Sequence, residues 1–154
     1  MAEAALKIED REPATIRRFE IADLSTHGPW LLKRFQTLFP DVTEKYIAGF
    51  LRGIIYSNEF SFLYQDNAVA LAQIIASPGI KPIKIVQEHF VWIADRNDKD
   101  QAENAADFYV HFKQWGKQQG AERMFVMENS DVPKPLVEQR LGRLFDVKIS
   151  HARI

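Results

Sequence analysis

The pattern of the chain predicts one α/β domain of the α+β kind, with a mixed and mostly antiparallel sheet flanked by helices. Three observations carry this. The middle of the chain alternates with period two and is cut by turn residues, so neighbouring strands pair antiparallel most simply. Apolar residues recur at helical spacing on both sides of that region. The second half runs strand, helix, strand, a crossover that implies at least one parallel pair.

Taken in order, Ala14–Ile21 predicts a strand, with Ile16, Phe19 and Ile21 set around Arg17 and Arg18. Ser25–Pro29 predicts a turn, and Trp30–Phe39 a helix with Leu31, Phe35 and Leu38 on one face, ended by Pro40. A second helix follows, capped by Asp41 with Glu44 three residues on. Tyr46, Ile47, Phe50, Leu51, Ile54 and Ile55 repeat along it at helical spacing. Phe60, Phe62 and Tyr64 then alternate with Ser61 and Leu63 as a strand, Gln65–Asn67 turns the chain, and Ala68–Ala76 is the next strand. Lys84–Ile93 is another, placing Val86, Glu88, Phe90 and Trp92 on one face and Ile85, Gln87, His89, Val91 and Ile93 on the other. A polar stretch over Ala94–Asn104 leads into a helix marked by Ala105, Phe108, Tyr109, Phe112 and Trp115 and ended by Gly120. Arg123–Met127 is a short strand. Pro133 and Pro135 suit the first turn of a short helix ended by Gly142, and Leu144–Ile154 is a last strand.

Composition narrows the function. A chain of 154 residues is about one domain, so 14–154 is expected to fold as a unit behind a flexible segment at 1–13. Hydrophobic residues make up 46% and charged residues 27%, a globular balance. The net charge of −1 gives no reason to expect nucleic acid or an anionic membrane as partner. With no cysteine there is no thiolate catalysis and no thiolate metal site. The absence of a long apolar run predicts no membrane span, and the expected location is the cytoplasm. The four histidines are scattered, and no metal site is expected.

The element order from Ala14 onward is similar to that of the GNAT-type N-acetyltransferases, and Ile85–Gly142 carries the most local likeness. Members of that family have a strand, then a loop of form Gln/Arg-x-x-Gly-x-Gly/Ala entering a long helix. A strand, an Asn and a short helix ending near a Gly follow. Backbone N–H groups at such a helix start hold a cofactor's pyrophosphate, and glycines let that backbone come close. Counting back from Gly120, Gln101 takes the family's Gln/Arg position, Asn104 its first Gly and Ala106 its final Gly/Ala. A second register uses Arg96 instead and puts Lys99 and Gln101 on the glycine positions. Asn129 matches the family's Asn, while Glu138 stands where a Tyr is usual. The resemblance implies acetyl-CoA as cosubstrate, met by Ile93, Arg96, Gln101, Ala102, Asn104, Ala106 and Asn129.

The loop departs from the family in charge. Asp95, Asp98, Asp100 and Glu103 face only Arg96 and Lys99. Carboxylates at a helix start compete with a pyrophosphate for the same N–H groups, and Asp100 with Glu103 reads equally as a capping box that serves the helix itself. Glu88 is the candidate catalytic group, a carboxylate on an otherwise apolar strand face, where burial raises its pKa. The resemblance puts the general base for an acceptor amine near this strand. The functions that follow are acyl transfer from acetyl-CoA to a primary amine of a small molecule or protein, or a non-catalytic GNAT-like binding or structural role, phage-encoded or virion-associated. A sheet short of one strand at its end favours completion by a partner chain, that is, a homo-oligomer.

Overall fold

The computed structural model describes residues 15–77, 82–127 and 130–142. In chain order the elements are β1 (Arg17–Arg18), α1 (Asp23–Leu38), α2 (Glu44–Ile55), β2 (Phe60–Gln65), β3 (Ala68–Ser77), β4 (Ile83–Ile93), α3 (Lys99–Ala105), α4 (Asp107–Gln118), β5 (Ala121–Phe125) and α5 (Lys134–Leu141). The strands form one sheet in sequence order, β1 to β5. The first four pair antiparallel, and β4 pairs with β5 in parallel. The expected segment at 1–13, Asn129 and the expected strand over Leu144–Ile154 lie outside the described residues.

The β2–β3 hairpin closes on Asp66 and Asn67, with Asp66 at φ 51°, a left-handed conformation that Asp tolerates better than most residues. β3 and β4 pair along their whole length but slip once: Leu71 faces Phe90 while Ala72 faces Glu88, leaving His89 as an extra residue. This bulge corrects the expected faces of β4. Alternation holds on each side of His89 but changes phase across it. Phe90 and Trp92 therefore pack with Phe62, Val69 and Leu71 in one core, beneath α1 and α2. Val91 and Ile93 join Val86 in the other core, with Phe108, Tyr109 and Phe112 of α4. His89 sits exposed, its Nε2 2.8 Å from Gln73 Oε1.

Helix starts differ from expectation for local reasons. α1 begins at Asp23, not Trp30, and runs through Pro29. A proline inside a helix costs about 3 kcal/mol, which the burial of His27, Leu31 and Phe35 on the same helix offsets. β1 is correspondingly short, and Asp23 binds back to it through Arg17 at 2.7 Å and also accepts the Glu20 N–H of the intervening turn at 2.8 Å. Thr43, not Asp41, caps α2, accepting the Tyr46 N–H. The stretch expected to be a polar lead-in is itself helical from Lys99, because Asp98 caps it. α4 packs closely on β4 at Gly116, where an added Cβ would lie 2.3 Å from Val86 Cγ2.

Candidate functional site

β4 and β5 pair only from Lys84 to Gln87, although β4 continues to Ile93. Beyond Gln87 the two chains separate, and Glu88 is the first residue past the fork. It is 0% exposed. One carboxyl oxygen accepts the Tyr109 hydroxyl at 2.5 Å and the other accepts the Met127 N–H at 2.8 Å. The Tyr109 oxygen also lies 2.7 Å from Ser130 Oγ. A hydroxyl has one proton to give, so when Tyr109 donates to Glu88 it accepts from Ser130. Ser130 Oγ in turn accepts the Val132 N–H at 3.2 Å.

Burial pushes the Glu88 carboxyl up to about 7, against the opposing hydrogen bonds from Tyr109, the Met127 N–H and Ser130. Burial, reinforced by the neighbouring Glu88, raises the Tyr109 hydroxyl and keeps it protonated. The group binds α4, the end of the β5 segment and the loop before α5 to the middle of β4.

A second cluster closes the outer end of the fork. The Asp131 N–H donates to the Val91 carbonyl at 3.1 Å, and its carboxylate accepts the Ile93 N–H at 3.0 Å. The same carboxylate pairs with the Arg34 guanidinium from α1, and Arg96 Nε lies 3.8 Å away. Arg34 reaches the Ile93 carbonyl at 3.4 Å and lies over the Trp92 ring, 5.0 Å from its centre. The Val91 carbonyl and the Ile93 N–H on the unpaired edge of β4 are thus satisfied by Asp131. Among the described residues, no three or more potential metal ligands converge.

The residues expected to meet acetyl-CoA are not arranged as a phosphate loop. Gln101, Ala102 and Asn104 lie within α3, and Ala106 is the fully buried junction to α4. The N–H groups of Asp100 and Gln101, in the first turn of α3, both donate to the Asp98 carboxylate at 3.0 and 3.1 Å. The expected capping of this helix by its own acids is therefore present, but from Asp98 and not from Asp100 with Glu103. Ile93 gives its N–H to Asp131, and Arg96 is largely exposed beside the same carboxylate. The Asp100 and Gln101 N–H groups and the Ile93 N–H are thus each engaged by a carboxylate of the protein.

Two members of these clusters were legible as types but not as partners. A tyrosine among Phe108 and Phe112 needs somewhere to put its hydroxyl, and Glu88 on an apolar strand needs a donor. Arg34 and Asp131 carry no local signal: one sits on a helix, the other in a loop 97 residues later.

No protein-family model matches the chain, and no curated protein resembles it in sequence. Its fold does resemble solved structures. Glucosamine-6-phosphate N-acetyltransferase from Arabidopsis thaliana superposes with a TM-score of 0.65 at 17% identity, covering 92% of this chain and 99% of that one. A GNAT family acetyltransferase from Staphylococcus aureus gives 0.65 at 11%, covering 93% and 100%. An aminoglycoside N-acetyltransferase in complex with CoA gives 0.57 at 16%, covering 94% and 97%. Element order, the parallel β4–β5 pair, the fork beside β4 and these superpositions agree: the chain has the GNAT-type N-acetyltransferase fold.

Proposed function

We propose that this chain uses the GNAT fold as a non-catalytic binding or structural module, of the sort found as a component of a larger assembly. One observation carries the reading: where the family resemblance puts a cofactor, Asp98 accepts the Asp100 and Gln101 N–H groups of α3 and Asp131 accepts the Ile93 N–H on the β4 edge. Both carboxylates are held by geometry, and both would have to leave before an anionic cofactor could take their donors. The helices on the far side of the sheet add support, since Phe39, Tyr46 and Phe50 of the α1–α2 region are more than 40% exposed. Exposed aromatic side chains suit a partner surface better than solvent.

Hydrogen exchange in the presence of millimolar CoA tests this. The amides of Ile93, Asp100 and Gln101 are expected to exchange at the same rate with and without it. Added protection at these three would mean that the carboxylates yield to the cofactor, and the reading would fail.

A second reading is favoured by one specific observation, the Glu88 carboxyl at about 7. A base poised there suits removal of a proton from a primary amine near neutral pH. On this reading the chain is an acyl-CoA-dependent N-acyltransferase in the cytoplasm, acting on a small-molecule or protein amine. Glu88 would then have to become accessible, because it is wholly enclosed by Tyr109, Met127 and Ser130.

A further inference from the structure

Away from the fork, a cleft of about 210 Å³ opens between β2 and α4. At roughly 30 Å³ per water it has room for about seven waters, which sets the size of an occupant at a small organic molecule. Ser61 and Leu63 of β2 contribute to the lining, as do His111 and Trp115 of α4 and Arg18 of β1.

The polar side chains there are biased toward donation. They comprise a guanidinium, an imidazole, an indole N–H and a hydroxyl, and among the described residues no carboxylate lines the cleft. Arg18 is also held in place. Its Nη2 donates to the carbonyls of Ile55 at 2.8 Å and Ser57 at 3.1 Å, at the C-terminal end of α2. No other hydrogen bond is made by this guanidinium among the described residues, so its remaining N–H groups are available at a preset position. Leu63 and Trp115 supply apolar surface beside these donors. A permanent cation, further donors and apolar walls in a small space select an anion with an apolar body.

We propose that this cleft is a binding site for a small monocarboxylate, with Arg18 pairing the carboxylate and Trp115 and Leu63 covering the apolar part. It shares no residue with the Glu88 and Asp131 clusters, so the site stands whether or not the chain transfers acyl groups.

Benzoate is a suitable probe, with benzamide as its neutral isostere. In a two-dimensional NMR titration of the full chain, benzoate is expected to shift the Trp115 indole and Leu63 methyl signals saturably. For so small a ligand the Kd should be on the order of millimolar. Benzamide is expected to bind at least about tenfold more weakly, the loss expected for a charge-assisted pair. Arg18→Gln should weaken benzoate by a similar factor, and because Arg18 also ties down α2, His111→Leu at an exposed position gives an independent variant, expected to weaken it severalfold. No saturable shift at Trp115, equal binding of benzoate and benzamide, or unchanged binding in both folded variants would overturn the proposal.

Discussion

At the scale of single residues, Glu88 is a buried carboxylate and Asp131 a half-buried one held in an ion pair with Arg34. Folding raises the Glu88 carboxyl from 4.5 to about 7, so the folded chain holds that proton more tightly than the unfolded one. The stability it contributes is fully present below pH 4.5 and is lost as pH rises through about 7. The full change is worth about 3 kcal/mol. Denaturant unfolding from pH 5 to pH 8 should therefore show stability falling with pH, and Glu88→Gln should flatten that fall and be the more stable protein at pH 8. Parallel profiles for the two would mean that Glu88 is not the titrating group. Asp131 behaves differently because its charge is paired. Asp131→Ala leaves the Arg34 guanidinium and the Ile93 N–H without their acceptor and is expected to cost about 3–5 kcal/mol. Arg34→Met combined with Asp131→Leu should recover a large part of that loss, read as the denaturation midpoint, since an apolar pair leaves no buried charge unpaired.

At the scale of elements, the chain's periodicities located most helices and strands but not the details that shape the site. The β2–β3 hairpin and β4 were legible because alternation and the turn residues at Gln65–Asn67 are local signals. The bulge at His89 was not, because it depends on how Ala72 meets Glu88 across the sheet, and nothing within β4 announces it. The consequence is large: it puts Trp92 in the opposite core from Val86. The start of α3 was misplaced because a polar, charged stretch resembles a loop, yet Asp98 is a strong cap and the small apolar face of Ala102 and Ala105 is enough to bury. Gly116 gives a prediction at this scale. Alanine is the better helix former by about 1 kcal/mol, but here its Cβ would meet the stiff Val86 side chain at 2.3 Å. Gly116→Ala is expected to lower stability by roughly 1–3 kcal/mol, measured by thermal or denaturant unfolding. A stabilised variant would show that α4 and β4 do not pack this closely.

At the scale of the whole molecule, fold and activity separate. The element order in the sequence pointed to the GNAT fold, and superposition on acetyltransferases at 11–17% identity agrees with it. Likeness at that level speaks for architecture alone, and function rests on what the side chains do at the site. Among the described residues no helix is long and apolar enough to cross a membrane. The negative charges around Asp95–Glu103 were visible in the sequence as a conflict with an anionic cofactor. That Asp98 serves α3 itself, and that Asp131 from a later loop serves β4, required the distances.

Thermal unfolding with and without acetyl-CoA tests the central claim most directly. A ligand at 100 times its Kd stabilises a protein by about 2.7 kcal/mol, which is a rise of roughly 5–10 °C for a domain of this size. With Asp98 and Asp131 in place, the melting temperature is predicted not to move at millimolar acetyl-CoA. A saturable rise of several degrees would contradict the claim that the chain's own carboxylates fill the cofactor's place.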